Sequence, residues 1–190
     1  MLSAEETKMQ FCLANGNEEE FISIAIRLGL KELCFVYADA GKVKGINAKG
    51  IKLFKALMCK GKQIDKKRHG IDFVVAEHSE NDRNLIEGKR IDIIYGLESS
   101  KEQDQIHYRN SGMNQVIAGI CAKKGIKVLF DFNLVLRAHG KRRAVALGRM
   151  MQNMMLCRKF KVNYIMGNVV KEPYGLRSSR ALESFETLLK

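Results

Sequence analysis

Apolar residues along the chain follow two patterns, and each pattern predicts a different element. Short runs of continuous or alternating apolar residues predict six strands, at 9–13, 32–38, 71–76, 91–95, 126–132 and 163–167. The run at 126–132 is almost entirely apolar, which is typical of a strand that is covered on both faces.

Helical spacing of apolar residues predicts helices between these strands. They are expected at 17–28, 47–59, 111–125, 144–160 and 179–189. Asn17 and Ser111 are placed to cap the first and third of them, and Gly29 and Gly125 to end them. The alternation predicts right-handed crossovers and a parallel sheet within one domain, 1–190. An open doubly wound sheet and a TIM-type barrel with fewer than eight strands both fit this order.

Charged residues are unevenly distributed along the chain, and their distribution bears on function. The 190 residues include 33 Lys and Arg against 21 Asp and Glu, a net charge of +12. Residues 42–68 contain ten cations and one acid, and residues 137–161 contain eight cations and no acid, whereas acids cluster at 18–20 and 77–104. A basic face that lacks acids favours binding of a nucleic acid. A solvated lysine-rich face is the alternative.

Familiar phosphate-binding and metal-binding motifs are absent from the sequence. It contains no GxGxxG and no GxxxxGK[ST] loop, its four histidines are isolated from one another, and its five cysteines form no CxxC pair. We expect the cysteines to be reduced core residues. The groups that could serve a metal-dependent phosphoesterase are Asp39, Glu77, His78, Glu98 and Asp131. For Asp131 we expect instead a hydrogen bond to a basic residue at the rim of the core.

The N-terminal residues and the length of the apolar runs bear on the location of the protein in the cell. Glu5 and Glu6 stand where an export signal would carry positive charge, and the apolar runs are far shorter than a membrane span. We therefore expect a cytoplasmic protein with no membrane partner.

Two helices have chemistry that the core does not require. The third predicted helix opens with Arg109, Ser111 and Asn114, so free backbone N–H groups and a guanidinium would lie together as an anion site. A simply capped helix is the alternative. The fourth carries a methionine stripe around Met150 to Met155, which is typical of core and can also form an adaptable protein-binding surface.

Three segments resemble the archaeal ribonuclease P protein component 3 family, which is related to a subunit shared by eukaryotic ribonucleases P and MRP. They are RNSGMNQVIAGICAKKGIKVLFDFNLVL at 109–136, RMMQNMMLCRKFKVNYIMG at 149–167 and GLRSSRALESF at 175–185. Two features depart from the family pattern. Gln115 stands where relatives often have His, and the sequence ends at Lys190 where relatives continue through a further strand, which suggests a trimmed barrel.

The resemblance implies a fold and a division of labour. The fold would be an α/β, TIM-barrel-like parallel βα repeat with fewer than eight strands, similar to the PHP phosphoesterases but without their metal site. Catalysis would reside in an RNA subunit that uses magnesium to remove the 5′ leader of precursor tRNA. This chain would bind no cofactor, would be inactive alone, and would brace the RNA together with a small RRM-like protein, with which it would form a heterotetramer.

The family's basic positions carry over by motif onto residues of this chain. With the polar residues of the helix opening, the expected RNA-binding residues are Arg83, Arg109, Ser111, Asn114, Lys124, Lys159 and Arg177. Two other function classes stay open: the metal-dependent phosphoesterase on the same barrel, and a scaffold that binds only protein. We further expect Glu98, Glu102 and Asp104 to form an acidic surface on which a basic protein partner docks.

Overall fold

Seven parallel strands form a closed barrel in the computed structural model, which describes residues 6–43, 45–46, 48–59, 70–100 and 102–190. The strands are β1 (Glu6–Leu13), β2 (Glu32–Tyr37), β3 (Lys52–Met58), β4 (Phe73–Glu77), β5 (Ile93–Tyr95), β6 (Lys127–Asp131) and β7 (Tyr164–Val170). They pair in chain order, and β7 closes the barrel on β1. The prediction of a barrel with fewer than eight strands is confirmed, and the open sheet is wrong.

Six α-helices accompany the strands in the described part of the chain. They are α1 (Glu18–Arg27), α2 (Asp82–Glu87), α3 (Gln115–Lys124), α4 (Phe132–Arg137), α5 (Gly140–Phe160) and α6 (Ser179–Leu189). Short 3₁₀ turns lie at Ala40–Lys42, Leu97–Ser99 and Pro173–Gly175. The helices α2 and α4 were not expected from the sequence, since each is only six residues long and lacks a repeated apolar spacing. Six of the ten cations of the basic segment 42–68 lie outside the described residues.

The segment predicted as a helix at 47–59 is instead the strand β3. Its apolar residues have helical spacing, but they also alternate: Phe54 and Ala56 face one hydrophobic cluster, and Leu53 and Leu57 face the other. Pairing with β2 and β4 decides between the two patterns, because a barrel strand satisfies its backbone groups on both sides. This strand is why the barrel has seven strands rather than the predicted six.

Alternate strand residues divide the core into two layers. Side chains such as Phe11, Val36 and Leu129 fill the barrel interior, whereas Phe35 and Phe130 belong to the larger layer between the barrel and its helices. Filling a small barrel requires small residues where opposite walls come close. Gly167 in β7 is such a residue, because Leu129, Met9 and Phe11 approach it closely.

The long connection from β5 to α3 is tied to α5 by a buried arginine. Arg149 is only 5% exposed, and its guanidinium donates hydrogen bonds to the backbone carbonyls of Glu98 and Ser100 at 3.1 and 2.7 Å and to that of Glu102. Its Nε also bonds the Asp104 carboxylate at 2.8 Å. Although burial alone would raise it, the pKa of Asp104 is lowered by hydrogen bonds from Arg149 and the Asn110 amide. The connection is therefore fixed on the helix.

Two further side chains of α5 complete this attachment. Asn153 Nδ2 donates to the Glu98 carboxylate and to the Ser111 carbonyl, each at 2.9 Å, and Gln152 Nε2 donates to the Arg109 carbonyl and the Ser111 hydroxyl, each at 3.1 Å. The second carboxylate oxygen of Glu98 is buried without a hydrogen-bond partner among the described residues. Burial raises the pKa of Glu98 to about 7.

Substituting Gly167 tests how tightly the barrel interior is packed. A Cβ at this position would lie 2.5 Å from Leu129 Cδ1 and 2.7 Å from the Met9 carbonyl oxygen. We expect Gly167→Ala to lower the free energy of unfolding by about 1–3 kcal/mol, as overpacking does. Gly119→Ala in α3 is the matched control, because nothing lies within 4 Å of its Cβ, and it should stabilise by about 0.5–1 kcal/mol. Equal effects in urea denaturation would contradict this packing.

The buried Glu98 carboxyl predicts a pH dependence of stability. Its pKa lies near 7 in the folded chain and near 4.5 when exposed, so the unfolded state loses its proton first as the pH rises. The stabilisation that the neutral Glu98 carboxyl provides is therefore fully present below about pH 4.5. It is lost progressively as the pH rises to about 7. Between pH 5 and pH 8, the free energy of unfolding of Glu98→Gln should rise by about 2 kcal/mol relative to that of the parent chain. Urea denaturation at both pH values measures this difference. Glu102→Gln, an exposed control, should show no such gain.

Candidate nucleic-acid interface

The parallel strands place all of their entry segments at one end of the barrel. Those that lead into β5, β6 and β7, which are neighbours in the barrel, are rich in cations. We call this set the basic rim: Lys89, Arg90, Lys123, Lys124, Lys127, Arg158, Lys159 and Lys161. The expected binding end of a parallel α/β fold is the opposite one, at the carboxyl ends of the strands.

Local folding explains why these cations meet. Lys123 and Lys124 form the last turn of α3, and Arg158 and Lys159 form the last turn of α5, where positive charge interacts favourably with the helix dipole. Each helix is closed by a left-handed residue: Gly125 has φ 68° after α3 and Lys161 has φ 57° after α5. The chain then enters the next strand within three residues, so both helix ends lie at the amino end of the barrel.

Little negative charge compensates the basic rim. Apart from Arg90, its members form no ion pair with any residue that the structure describes, and Lys159 contacts the Phe160 ring, 5.7 Å from its centroid. The nearby Asp92 carboxylate accepts a hydrogen bond from the Val74 backbone N–H at 2.8 Å, and Glu87 pairs with Arg83. A surface of this kind attracts a polyanion.

The described part of the carboxyl end of the barrel carries charges of both signs. A cleft of about 1310 Å³ lies between the segments that follow β4 and β5 and the helix α5, and acidic residues line it: Glu77, Glu80 and Glu102. At its edge, His78 Nδ1 lies 2.5 Å from Asp82 Oδ2, and this hydrogen bond raises the pKa of His78. The segment that follows β6 at the same end is basic and lines a second pocket with Arg137, Lys141 and Arg142, so the acidic character belongs to the cleft and not to the whole carboxyl end.

The expected RNA-binding residues are divided among three places. Lys124 and Lys159 belong to the basic rim, whereas Arg109 and Asn114 lie at the cleft and Arg83 on α2 pairs with Glu87 at 2.7 Å. The Arg109 guanidinium packs on Gly148 of α5, where a Cβ would lie 2.9 Å from Nε.

Ser111 and Arg177 are engaged within the chain. Ser111 is buried, and its hydroxyl donates to the Met113 carbonyl and accepts from Gln152; that it contacts RNA stays a prediction. Its expected cap is also wrong: α3 begins at Gln115, and the Asn114 side chain accepts from the Ile117 N–H at 2.9 Å. The Arg177 guanidinium donates to three local carbonyls, of which Leu176 is nearest at 2.9 Å.

The groups considered for a phosphoesterase are engaged in separate contacts. Asp39 caps the turn at Gly41, Glu98 bonds Asn153, and His78 bonds Asp82. Asp131 accepts from the Val169 and Asn133 backbone N–H groups at 2.8 and 3.0 Å, not from a basic side chain as expected, and burial raises its pKa to about 6. In the part of the chain that is described, no group of three or more His, Cys, Asp or Glu residues could hold a metal ion.

The expected acidic docking surface is largely wrong. Glu98 is 3% exposed, and Asp104 is hydrogen-bonded to Arg149, so neither carboxylate is presented to a partner. Glu102 alone of the three is exposed. The methionine stripe is divided: Met150 and Met154 are core residues, and Met151 and Met155 are exposed. Four cysteines are buried and Cys59 is half-buried, all as free thiols.

Six members of the basic rim were missed by sequence reasoning: Lys89, Arg90, Lys123, Lys127, Arg158 and Lys161. Their signal in the sequence is their position and not a motif, since each lies in the last helical turn, in the few residues before a strand, or at the first residue of a strand. A count of charges along the chain does not reveal the basic rim. The segments that lead into β5, β6 and β7 are separated from one another by more than thirty residues.

The chain resembles known proteins in sequence and in fold. No family model matches the chain. A ribonuclease P protein component 3 from Methanococcoides burtonii is 23% identical over 182 residues, which cover 90% of this chain and 72% of the relative. Proteins of the same name from Methanosarcina acetivorans and Methanosarcina barkeri are 26% and 28% identical over 117 residues, 60% of this chain and only 46% of each relative.

The fold is also found in a solved structure. A chain in a cryo-EM structure of archaeal ribonuclease P with mature tRNA superposes with a TM-score of 0.73 at 17% identity, over 96% of this chain and 82% of that one. None of the described helices is long and apolar enough to cross a membrane. In both sequence and fold, the chain therefore resembles the archaeal ribonuclease P protein component 3 family, as its three motif segments predicted.

Proposed function

We propose that this chain is an RNA-binding protein subunit of ribonuclease P, which supports the RNA-catalysed removal of the 5′ leader from precursor tRNA. The observation that carries the proposal is the basic rim, an arc of cations across three neighbouring strand entries with little acidic compensation. The relatives and the fold supply the class of particle in which such a surface would work.

The physical role of the basic rim is to hold phosphates rather than to read bases. Lysine and arginine side chains on a rigid barrel edge neutralise phosphates of a folded RNA and release counterions, which favours binding and makes it salt-dependent. RNA segments that repel one another can then be held close together. The catalytic magnesium ions belong to the RNA subunit in this proposal, and the barrel contributes no reacting group.

The rest of the particle follows the family resemblance. The partners are ribonuclease P RNA, precursor tRNA within the holoenzyme, and a small RRM-like protein with which this chain forms a heterotetramer in the cytoplasm. Reconstitution tests this directly: precursor tRNA, the RNA subunit and the RRM-like protein are combined with and without this chain. We expect cleavage at low magnesium to require the chain, and the chain with precursor tRNA alone to be inactive.

Removing charge from the basic rim tests where RNA binds. The variant carries Lys123→Gln, Lys124→Gln, Arg158→Gln and Lys159→Gln, which keep helix-forming side chains at both helix ends. We expect weaker binding of ribonuclease P RNA and a salt slope, log Kd against log salt, reduced in magnitude by about 2–3 units. Filter binding between 50 and 300 mM salt measures both quantities.

A control variant removes the same number of cations from the other end of the barrel. It carries Lys42→Gln, Lys141→Gln, Arg142→Gln and Lys171→Gln, all at exposed positions, and should leave the slope nearly unchanged. If the control lowers the slope as much as the rim variant does, RNA does not select the amino end of the barrel. An unchanged slope in the rim variant would remove the rim from the interface.

A further inference from the structure

Two lysines of the basic rim have a backbone conformation that favours glycine. Lys89 has φ 48° and Lys161 has φ 57°, and no other non-glycine residue in the described ranges has a positive φ. In this left-handed region the Cβ of an L-residue crowds the following carbonyl oxygen, a crowding that glycine avoids. Each lysine side chain therefore strains the turn that carries it.

Four helix ends of the barrel allow these lysines to be compared with glycine in the same turn. After α1, α2, α3 and α5, the left-handed residue donates to the carbonyl three residues earlier, and the next residue donates to the carbonyl five residues earlier. Each turn leads into a strand, β2, β5, β6 or β7. The left-handed residues are, in order, Gly29, Lys89, Gly125 and Lys161. The same turn thus forms with either residue type, and glycine is the less strained of the two.

The helix dipole does not account for the two lysines. A cation near a helix C-terminus is favourable, but it need not occupy the left-handed position. The helix α3 has Lys123 and Lys124 in its last turn and keeps glycine after them, and α5 already has Arg158 and Lys159 in its last turn. The short α2 is followed by Arg90. In each case neighbouring cations supply this interaction, so lysine at the left-handed position is not required for it.

Contacts within the chain do not account for these lysines either. Lys89 and Lys161 are exposed, and neither forms an ion pair with a residue that the structure describes. Glu87, the acid nearest to Lys89 in sequence on the helix side, pairs with Arg83 at 2.7 Å. A strained residue that lacks a compensating contact inside the protein is typical of a site that acts on a ligand.

The place of the two lysines in the barrel indicates the ligand. β5 and β7 are the two neighbours of β6, so Lys89 and Lys161 lie on either side of the segment that leads into Lys127. Because neighbouring strands are about 4.8 Å apart, the entries into β5 and β7 are roughly 10 Å from each other. Each lysine adds a point charge on a long side chain to this rigid edge. Two such charges among further cations suit separate phosphates of one RNA backbone.

We propose that Lys89 and Lys161 each hold a phosphate of the bound RNA backbone, and that this contact keeps lysine in place of glycine at both turns. The inference rests on the proposed function, because its ligand is the RNA that the basic rim binds. RNA compensates the strain only in the complex, so the free protein is less stable than it would be with glycine. Replacing the lysines should therefore change stability and RNA affinity in opposite directions.

The test replaces both lysines by glycine in the full chain. Lys89→Gly with Lys161→Gly should raise the midpoint of thermal unfolding by about 2–6 °C, because both turns lose their strain. The same variant should bind ribonuclease P RNA at least about fivefold more weakly at about 150 mM salt, with a salt slope reduced in magnitude by about 1–2 units. Scanning calorimetry and filter binding measure these quantities.

Three control variants separate charge, strain and position. Lys89→Arg with Lys161→Arg keeps both charges in strained turns, and should leave the midpoint unchanged and RNA affinity within twofold of the parent. Lys89→Asn with Lys161→Asn removes the charges but tolerates the left-handed region, and should lose affinity as the glycine variant does. Gly29→Lys places a lysine in the same turn before β2, outside the basic rim, and should lower the midpoint without changing RNA affinity more than twofold.

Stability and RNA affinity together decide the outcome. Higher stability with weaker RNA binding in the glycine variant, and weaker binding in the asparagine variant, support the proposal. Parental RNA affinity in the glycine variant overturns it, and so does an unchanged midpoint, which would mean that lysine strains neither turn. Parental affinity in the asparagine variant would assign the loss to glycine flexibility and overturn the phosphate contacts.

The proposed function is decided separately, by the rim variant that lacks Lys123, Lys124, Arg158 and Lys159. If this rim variant loses RNA affinity while the glycine variant binds as the parent does, the proposed function stands and the inference about Lys89 and Lys161 fails. If both variants bind RNA as the parent does, the basic rim is not the RNA interface and both proposals fail.

Discussion

Closure of a parallel barrel is the constraint on which the rest of this structure depends. Because all seven strands run in one direction, the chain must return outside the barrel before each new strand begins. Every helix that makes this return therefore ends at the amino end of the barrel. Cations in the last turn of α3 and α5, which would be scattered on an irregular fold, are thereby brought onto one edge beside β6 and β7.

The same constraint separates two surfaces with different chemistry. The amino end has the basic rim, whose charge suits RNA phosphates. The carboxyl end has an acidic cleft, which Glu77, Glu80 and Glu102 line. In an α/β barrel the carboxyl end normally holds the active site. Here the carboxyl groups of Asp131, Glu98 and Asp82 are hydrogen-bonded to backbone N–H groups, to Asn153 and to His78, respectively.

Particular elements show how much of this the sequence predicts. The sequence predicted the positions of the apolar strand β6 and the capped helix α6 to within one residue. The strand-helix alternation predicted a parallel sheet, and the family resemblance favoured the barrel over the open sheet. The β3 segment was misread because its apolar residues fit both periods, and only the neighbouring strands decide. Ser111 and Asn114 are both good caps, and the difference between them is that Ser111 is buried beneath Gln152 and Asn153 of a helix distant in sequence. Glu98 was misread as surface for the same reason. Local pattern carries no information about such contacts, or about which separated lysines share a rim.

The most direct test of the account is a lysine footprint of the unmodified protein bound to ribonuclease P RNA. Acetylation by an amine-reactive reagent, read by mass spectrometry, reports which exposed ammonium groups the RNA covers. The account predicts that RNA protects Lys123, Lys159 and Lys161 at the amino end of the barrel, while Lys42 and Lys171 at the carboxyl end stay fully reactive. Protection of Lys42 and Lys171 with full reactivity of the other three would contradict it.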